Sequence, residues 1–252
     1  MSTPTALHLT VLHSRYQFTE TVRVPIAVIG TTVFPALTML FFVVPQPFAQ
    51  QPGPATAATA QLSLFAVMSV CLFSYGVGVA EDRALPWDGY LRTLPAGPGP
   101  RLAGRLVNGL AFAALGLLPL ALIAWLLTAA TLPASRIALT GASLLVAALP
   151  LFCAGIAIGY SLSSKAALAV AQSLLLPLAF GGGLFLPPET FPGWLDAIST
   201  WLPTRAGRDL VVAATTGTDL PGTTWPVLLG WTVLTAVLAG CAYRRDEGRR
   251  FR

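Results

Sequence analysis

Charge is what this sequence has least of. Only 10% of its 252 residues are Asp, Glu, Lys or Arg, while 55% are hydrophobic and the mean hydropathy is +0.72. Soluble domains carry about 25% charged residues, so the composition excludes an ordinary water-soluble globule. The charge is missing in blocks: none occurs over 24–80, 106–135, 137–164, 166–188 or 220–243. A charge at the centre of a spanning helix costs roughly 2.5–3.5 kcal/mol on insertion scales, so windows of this kind are what a bilayer selects.

Other scarcities close off chemistry. Lysine occurs once, as Lys165. No Gly-x-x-x-x-Gly-Lys-Ser/Thr loop exists, which removes that route to ATP binding. The run Gly181-Gly182-Gly183 has no following Lys and reads as a flexible break where backbones approach closely. The two histidines, His8 and His13, are spaced wrongly for one helix face to ligate a metal, and no metal site is expected. Cys71, Cys153 and Cys241 match no metal or redox spacing and fall in apolar windows, where a thiol behaves as a small hydrophobe. A membrane enzyme acting on lipids would need paired acids or a histidine cluster at the surface, and neither is present, so no catalytic residue is expected.

What is present is enough apolar chain for an all-α membrane protein. A spanning helix needs about 20 apolar residues. Six spans are predicted, at about 24–44, 61–80, 106–128, 137–160, 166–186 and 224–243, in one domain. The first two are separated by a proline-rich break from Pro45 to Pro54. Pro177 does not veto its helix, because neighbouring helices re-satisfy freed backbone groups. The first apolar run is a full span rather than a signal peptide. With both termini cytoplasmic, the inside holds Arg15, Arg23, Arg83, Arg92, Arg101, Arg105, Lys165, Arg244, Arg245, Arg249, Arg250 and Arg252. The outside keeps only Arg136, Arg205 and Arg208. That asymmetry sets the orientation, and the net charge of +5 suits anionic lipid headgroups. The arginines form no basic face interleaved with aromatics, so no nucleic-acid partner is expected.

Ahead of the first span, Leu7, Val11, Phe18 and Val22 form one stripe, and Thr10, His13, Gln17 and Glu20 the opposite one. This predicts an amphipathic helix lying in the cytoplasmic headgroup plane. The internal segment after the second span, Glu81-Asp82-Arg83 and then Trp87-Asp88-Gly89-Tyr90-Leu91-Arg92-Thr93-Leu94-Pro95, predicts a short helix over about 85–95. Asp88 caps it, Pro95 ends it, and its Trp87, Tyr90, Leu91 and Leu94 contacts suit docking into a partner. Glu81 and Asp82 sit at the membrane edge rather than at the midplane, which disfavours a proton relay. The external connection at about 187–223 carries Trp194, Leu195, Ile198, Trp201 and Leu202 at the spacing of an apolar helix face, too short to span and too apolar for water. Within the spans the amides Asn108 and Gln172, with Tyr75 nearby in type, serve either a substrate path or interhelical hydrogen bonds worth roughly 0.6–2 kcal/mol. Gly76-x-Gly78 and Gly155-x-x-x-Gly159 permit close helix packing.

Taken together these residues resemble the type-2 ATP-binding-cassette (ABC) exporter permeases, including the daunorubicin-resistance-type drug exporters and polysaccharide or lipid-linked exporters. The resemblance is carried by GGGLFLPPETFPGWLDAISTWLPTRAGRDL, Gly181 to Leu210, and by Glu81-Asp82-Arg83 with Asp88-Gly89 and Leu94-Pro95. It implies a multi-pass permease subunit of the cell membrane that moves a hydrophobic or amphipathic compound, such as a drug, antibiotic, lipid or glycolipid. It implies an external re-entrant hairpin at about 186–203, with Phe185, Pro188, Phe191, Pro192, Trp194 and Trp201 closing the exit. It implies coupling through Glu81, Asp82, Trp87, Asp88, Gly89, Tyr90, Leu91 and Leu94 to a cytoplasmic ABC ATPase present in two copies. A second permease, identical or related, completes the assembly. No cofactor is expected in this chain; ATP and Mg²⁺ belong to the partner. The rival readings are an ion-coupled secondary transporter, an integral membrane lipid-modifying enzyme, and a permease that senses its ligand without moving it.

Overall fold

The computed structural model describes residues 6–23, 33–86 and 98–249. Among these the regular structure is helical throughout: α1 (Ala6–Val22), α2 (Val33–Val43), α3 (Pro52–Ala84), α4 (Pro98–Leu127), α5 (Ala134–Ser161), α6 (Ser164–Gly181), α7 (Gly193–Ser199), α8 (Pro203–Thr216) and α9 (Thr224–Arg249). Five of these, α3, α4, α5, α6 and α9, are long and apolar enough to cross a membrane. The span expected at 24–44 falls partly outside the described residues, and within them it is the shorter α2.

α3 is the axis of the bundle. Its most apolar window is 78% buried, against 22–33% for the other four long helices. It starts at Pro52, nine residues before the expected position. The proline-rich break therefore ends sooner than the sequence suggested, because a proline in the first helical turn lacks only an N–H that would be unpaired anyway. It stops at Ala84, since Leu85 precedes Pro86 and is held extended (φ −69°, ψ 138°). Pro119, Pro150 and Pro177 lie inside α4, α5 and α6 without ending them.

Between Cys71 and Val77, α3 widens into a π-helical stretch, and α5 packs against it backbone to backbone. A Cβ on Gly155 would stand 2.2 Å from the Cys71 carbonyl oxygen, and one on Gly159 would stand 2.8 Å from those of Tyr75 and Gly76. The Gly-x-x-x-Gly spacing is thus a contact surface, since only glycine lets two helix backbones come this close. Around it, Leu64, Phe65, Met68 and Leu72 of α3 meet Ala147 and Leu151 of α5, Ala171 of α6 and Val211 of α8.

α1 packs along the first half of α4, and its faces are reversed from the expectation for a soluble protein's surface helix. Thr10, His13, Ser14 and Gln17 are turned inward; Ser14 Oγ donates to Thr10 O (2.8 Å) and to Gly104 O (3.4 Å). Val11, Leu12, Tyr16 and Val22 point away from the protein. Outside a membrane protein the medium is hydrocarbon, so polar groups find partners on the protein side and apolar ones face outward. The same logic accounts for the exposed Leu118, Trp125, Leu145, Leu176, Val233 and Val237 on the long helices.

Candidate functional site: the two ends of the bundle

At the arginine-rich end, Glu81 is exposed on the last turns of α3 and Asp82 is ion-paired with Arg105 of α4. Arg83 turns into the bundle, where it pairs with Asp246 of α9, and its Nη1 donates to Gly159 O (2.6 Å) and Leu162 O (3.2 Å) at the end of α5. Ser164, in the first turn of α6, donates to Ala80 O (3.2 Å). Five helices therefore converge on residues 80–83. The remaining residues expected to couple to a partner, Trp87, Asp88, Gly89, Tyr90, Leu91 and Leu94, lie outside the described residues, as does nearly all of the helix expected at 85–95.

At the opposite end, α6 stops at Gly181, five residues short of the expected 186. Gly183 takes a left-handed conformation (φ 72°), Gly183 N–H donates to Phe180 O (3.1 Å), and Leu184 N–H donates to Ala179 O (2.9 Å). This pair of backward bonds closes a helix and calls for glycine at the left-handed position. The three glycines are a helix cap first, and a close approach second: a Cβ on Gly182 would sit 2.3 Å from Thr204 Oγ1.

Phe185 then inserts its ring among Phe65 (centroids 4.8 Å apart), Phe180 (5.0 Å) and Phe42 (6.2 Å), tying this segment to α3, α6 and α2. Pro188 is buried beside Gly183, Phe191 is half-buried, and Pro192 precedes α7 in an extended conformation. Trp194 and Trp201 are 68% and 71% exposed. The expected helix face through Trp201 and Leu202 is cut short because α7 ends at Ser199; Trp201 and Leu202 lie in the following turn, where Trp201 O accepts from Trp231 Nε1 (2.7 Å).

Within the external connection expected at about 187–223, residues 203–216 form a helix, α8. It packs against α3, α5, α6 and α9. Its signals stand in the sequence: Pro203 at the first helical position, Ala206, Leu210, Val211 and Ala214 along one side, and Gly217 in the left-handed conformation just past the end. With α8 come Arg205 and Arg208, which the sequence placed simply on the outside. A chain of contacts runs Asp196–Arg205 (3.2 Å), Arg205–Asp209 (3.1 Å) and Arg208–Asp209 (2.8 Å). It ends at Gln61 of α3, whose amide oxygen, turned toward the guanidinium, accepts from Arg208 Nε (3.1 Å) and Nη2 (2.7 Å). Gln61 stood at the edge of its expected span. The earlier start of α3 places it well inside the helix, so it joins Asn108 and Gln172 among the amides of the spans.

The residues considered for a substrate path stand on three helices, Tyr75 on α3, Asn108 on α4 and Gln172 on α6. Tyr75 is buried, donates to Leu106 O (3.0 Å) across the α3–α4 contact, and meets Phe152 edge-on (4.6 Å). Asn108 is half-buried in α4, and its buried Oδ1 accepts no hydrogen bond from the described residues. Gln172 is exposed on α6. Of the cysteines, Cys71 is buried, Cys153 is half-buried and Cys241 is exposed on α9.

No protein-family model matches the chain. Over 142 residues, or 56% of its length, it is 24% identical to a protein of Bacillus subtilis (strain 168) named transport permease YvfS, and the match spans 58% of that protein. The multi-span helical bundle, its lipid-suited surface and this similarity fit a membrane transport permease.

Proposed function

We propose that this chain is the permease subunit of an ATP-driven ABC exporter that moves a hydrophobic or amphipathic compound across the cell membrane. The similarity to a transport permease, joined to a helical bundle whose arginine-rich end carries Glu81 and Asp82 at the base of the Trp87–Leu94 segment, is the observation that supports this reading. In it, the arginine-rich end faces the cytoplasm, both termini lie there, and a separate ATPase grips residues 85–94. Two permeases, identical or related, pair in the membrane, each with one ATPase copy that holds ATP and Mg²⁺. Nucleotide binding draws the ATPases together and rocks the permeases. The segment from Phe185 to Trp201 closes the outward exit, and its half-buried Phe185 and buried Pro188 give it a firm attachment to α3 and α6.

The test is reconstitution. The chain co-purified with its ATPase hydrolyses ATP, and bulky or charged replacements at Gly89 or Leu91 break the link between hydrolysis and export. ATP-independent, gradient-driven movement by the chain alone would instead establish a secondary transporter.

A further inference from the structure

Three helices end around one side chain. Arg83 lies in the last turn of α3 and carries its guanidinium to the end of α5. There Gly159 O and Leu162 O accept from Nη1 at 2.6 and 3.2 Å. Its Nε donates to Asp246 Oδ1 of α9 at 3.1 Å. The guanidinium also lies over the Tyr160 ring, 5.7 Å from its centroid, and that ring meets Tyr243 of α9 edge-on at 5.1 Å.

Each contact has a physical reason. The last carbonyls of a helix have no partner within it and form the negative end of its dipole, so a cation is favoured there. The Asp246 side chain is only 4% exposed, and a buried carboxylate persists when a cation and hydrogen bonds compensate it. The planar guanidinium offers donors in several directions at once, which a lysine ammonium on a flexible stem does not reproduce. Tyr160 adds a face on which a cation rests.

Arg83 also stands just before the end of α3: Leu85 is extended, and the Trp87–Leu94 segment follows in the sequence. We propose that Arg83 is a positioning residue, which joins the base of that segment to the ends of α5 and α9 so that force on the segment moves three helix ends as one body. The proposal rests on the ABC-permease reading for the source of the force, and on the contacts alone for the joining.

The experiment has two arms. In the first, the full chain, with Cys71, Cys153 and Cys241 replaced by serine, is placed in lipid nanodiscs with spin labels at the exposed positions Ala84 and Arg245, and no ATPase is added. The distance distribution is narrow for the otherwise native chain and at least twofold broader for Asp246→Asn and Arg83→Gln. Arg83→Lys, which keeps the ion pair but not both carbonyl bonds, falls between. Distributions as narrow as the native one in Asp246→Asn and Arg83→Gln overturn the joining, as does a broad distribution in the native chain. Each variant is first checked for native helix content and a single size-exclusion peak; Arg83→Lys decides if the others fail it.

In the second arm the ATPase is present with ATP, Mg²⁺ and vanadate. The separation of the two labels stays unchanged in the native complex, and permease-stimulated hydrolysis drops at least threefold in Asp246→Asn and is partly restored in Arg83→Lys relative to Arg83→Gln. A changed separation on nucleotide binding, or full stimulation in Asp246→Asn, overturns the one-body claim. A native complex with no stimulated hydrolysis at all sinks the ABC reading and the force-transmitting role with it, while the first arm still decides the joining.

Discussion

Gln61 of α3 and Arg208 of α8 meet in the interior of the bundle. The amide oxygen of one faces two N–H groups of the other, at 3.1 and 2.7 Å, and both residues are more than 90% buried. Asp209 supplies the balancing charge at 2.8 Å. An arginine this deep is tolerated because it is paired and hydrogen-bonded. Gln61→Leu removes the acceptor while leaving the guanidinium in place, so it destabilises the protein by about 1–3 kcal/mol. Arg208→Leu leaves Asp209 with Arg205 alone and costs about 3–5 kcal/mol, the range for breaking a buried pair. The double variant loses less than the sum of the two, by about 0.5–2 kcal/mol, as expected for direct partners. Denaturant titration in lipid nanodiscs measures all three; strict additivity would mean that the two side chains do not interact.

Glycines that look alike in sequence differ sharply in what surrounds them. Gly155 faces the backbone of α3, where an added Cβ would overlap the Cys71 carbonyl, whereas Gly141 on the same helix has nothing within 4 Å. Gly155→Ala therefore forces α3 and α5 apart and costs about 1–3 kcal/mol, the usual range for overpacking. Gly141→Ala is neutral within about 0.5 kcal/mol or mildly stabilising, since alanine is the better helix former. Thermal unfolding of the two variants side by side checks the contrast, and equal midpoints would refute the close α3–α5 contact.

The reversal of α1 gives a third test. Gly104 lies under it, so a Cβ there would stand 2.8 Å from His13 Cβ and 3.2 Å from Ser14 N. Farther along, Phe18 and Phe112 rings pack at 5.4 Å. Gly104→Leu pushes α1 away from α4. In membranes, amide hydrogen exchange over residues 10–19 then rises at least tenfold while exchange in α5 is unchanged. Unaltered protection would show that α1 is held by something other than this contact.

How much of this could be read from the sequence follows from which forces act along the chain and which act across it. Long apolar windows reveal spans because the bilayer imposes one length and one composition. Hence α5, the end of α4 and the start of α9 fall close to their expected places, while α4 starts eight residues early at Pro98. The start of α3 lies earlier than its apolar window because Pro52 and Pro54, which look like breakers, occupy its first turn. α8 is harder to read, because a segment bearing Arg205, Arg208 and Asp209 reads as external despite its apolar side and its proline and glycine ends. What joins Arg208 to Gln61, or Arg83 to Asp246, is separated by 147 and 163 positions, and no local pattern encodes such a meeting. The one clue was that Arg83 and Asp246 both sit where a span meets the same face.

Orientation is the remaining question that one measurement answers. The loop after α8, including exposed Thr218 and Asp219, lies at the end of the bundle where Arg136 donates to Ala214 O (3.1 Å). Arg244 and Arg245 are exposed near the other end of α9. Lys and Arg crowd the latter end, and positive flanks of short loops are retained in the cytoplasm. In a background with Cys71, Cys153 and Cys241 replaced by serine, Thr218→Cys reacts with a membrane-impermeant maleimide in intact cells. Arg245→Cys reacts only after the cells are opened. The opposite pattern would invert the molecule, placing the Arg83 clasp and the Trp87–Leu94 segment on the side without ATP, and an ATPase-coupled mechanism would then be untenable.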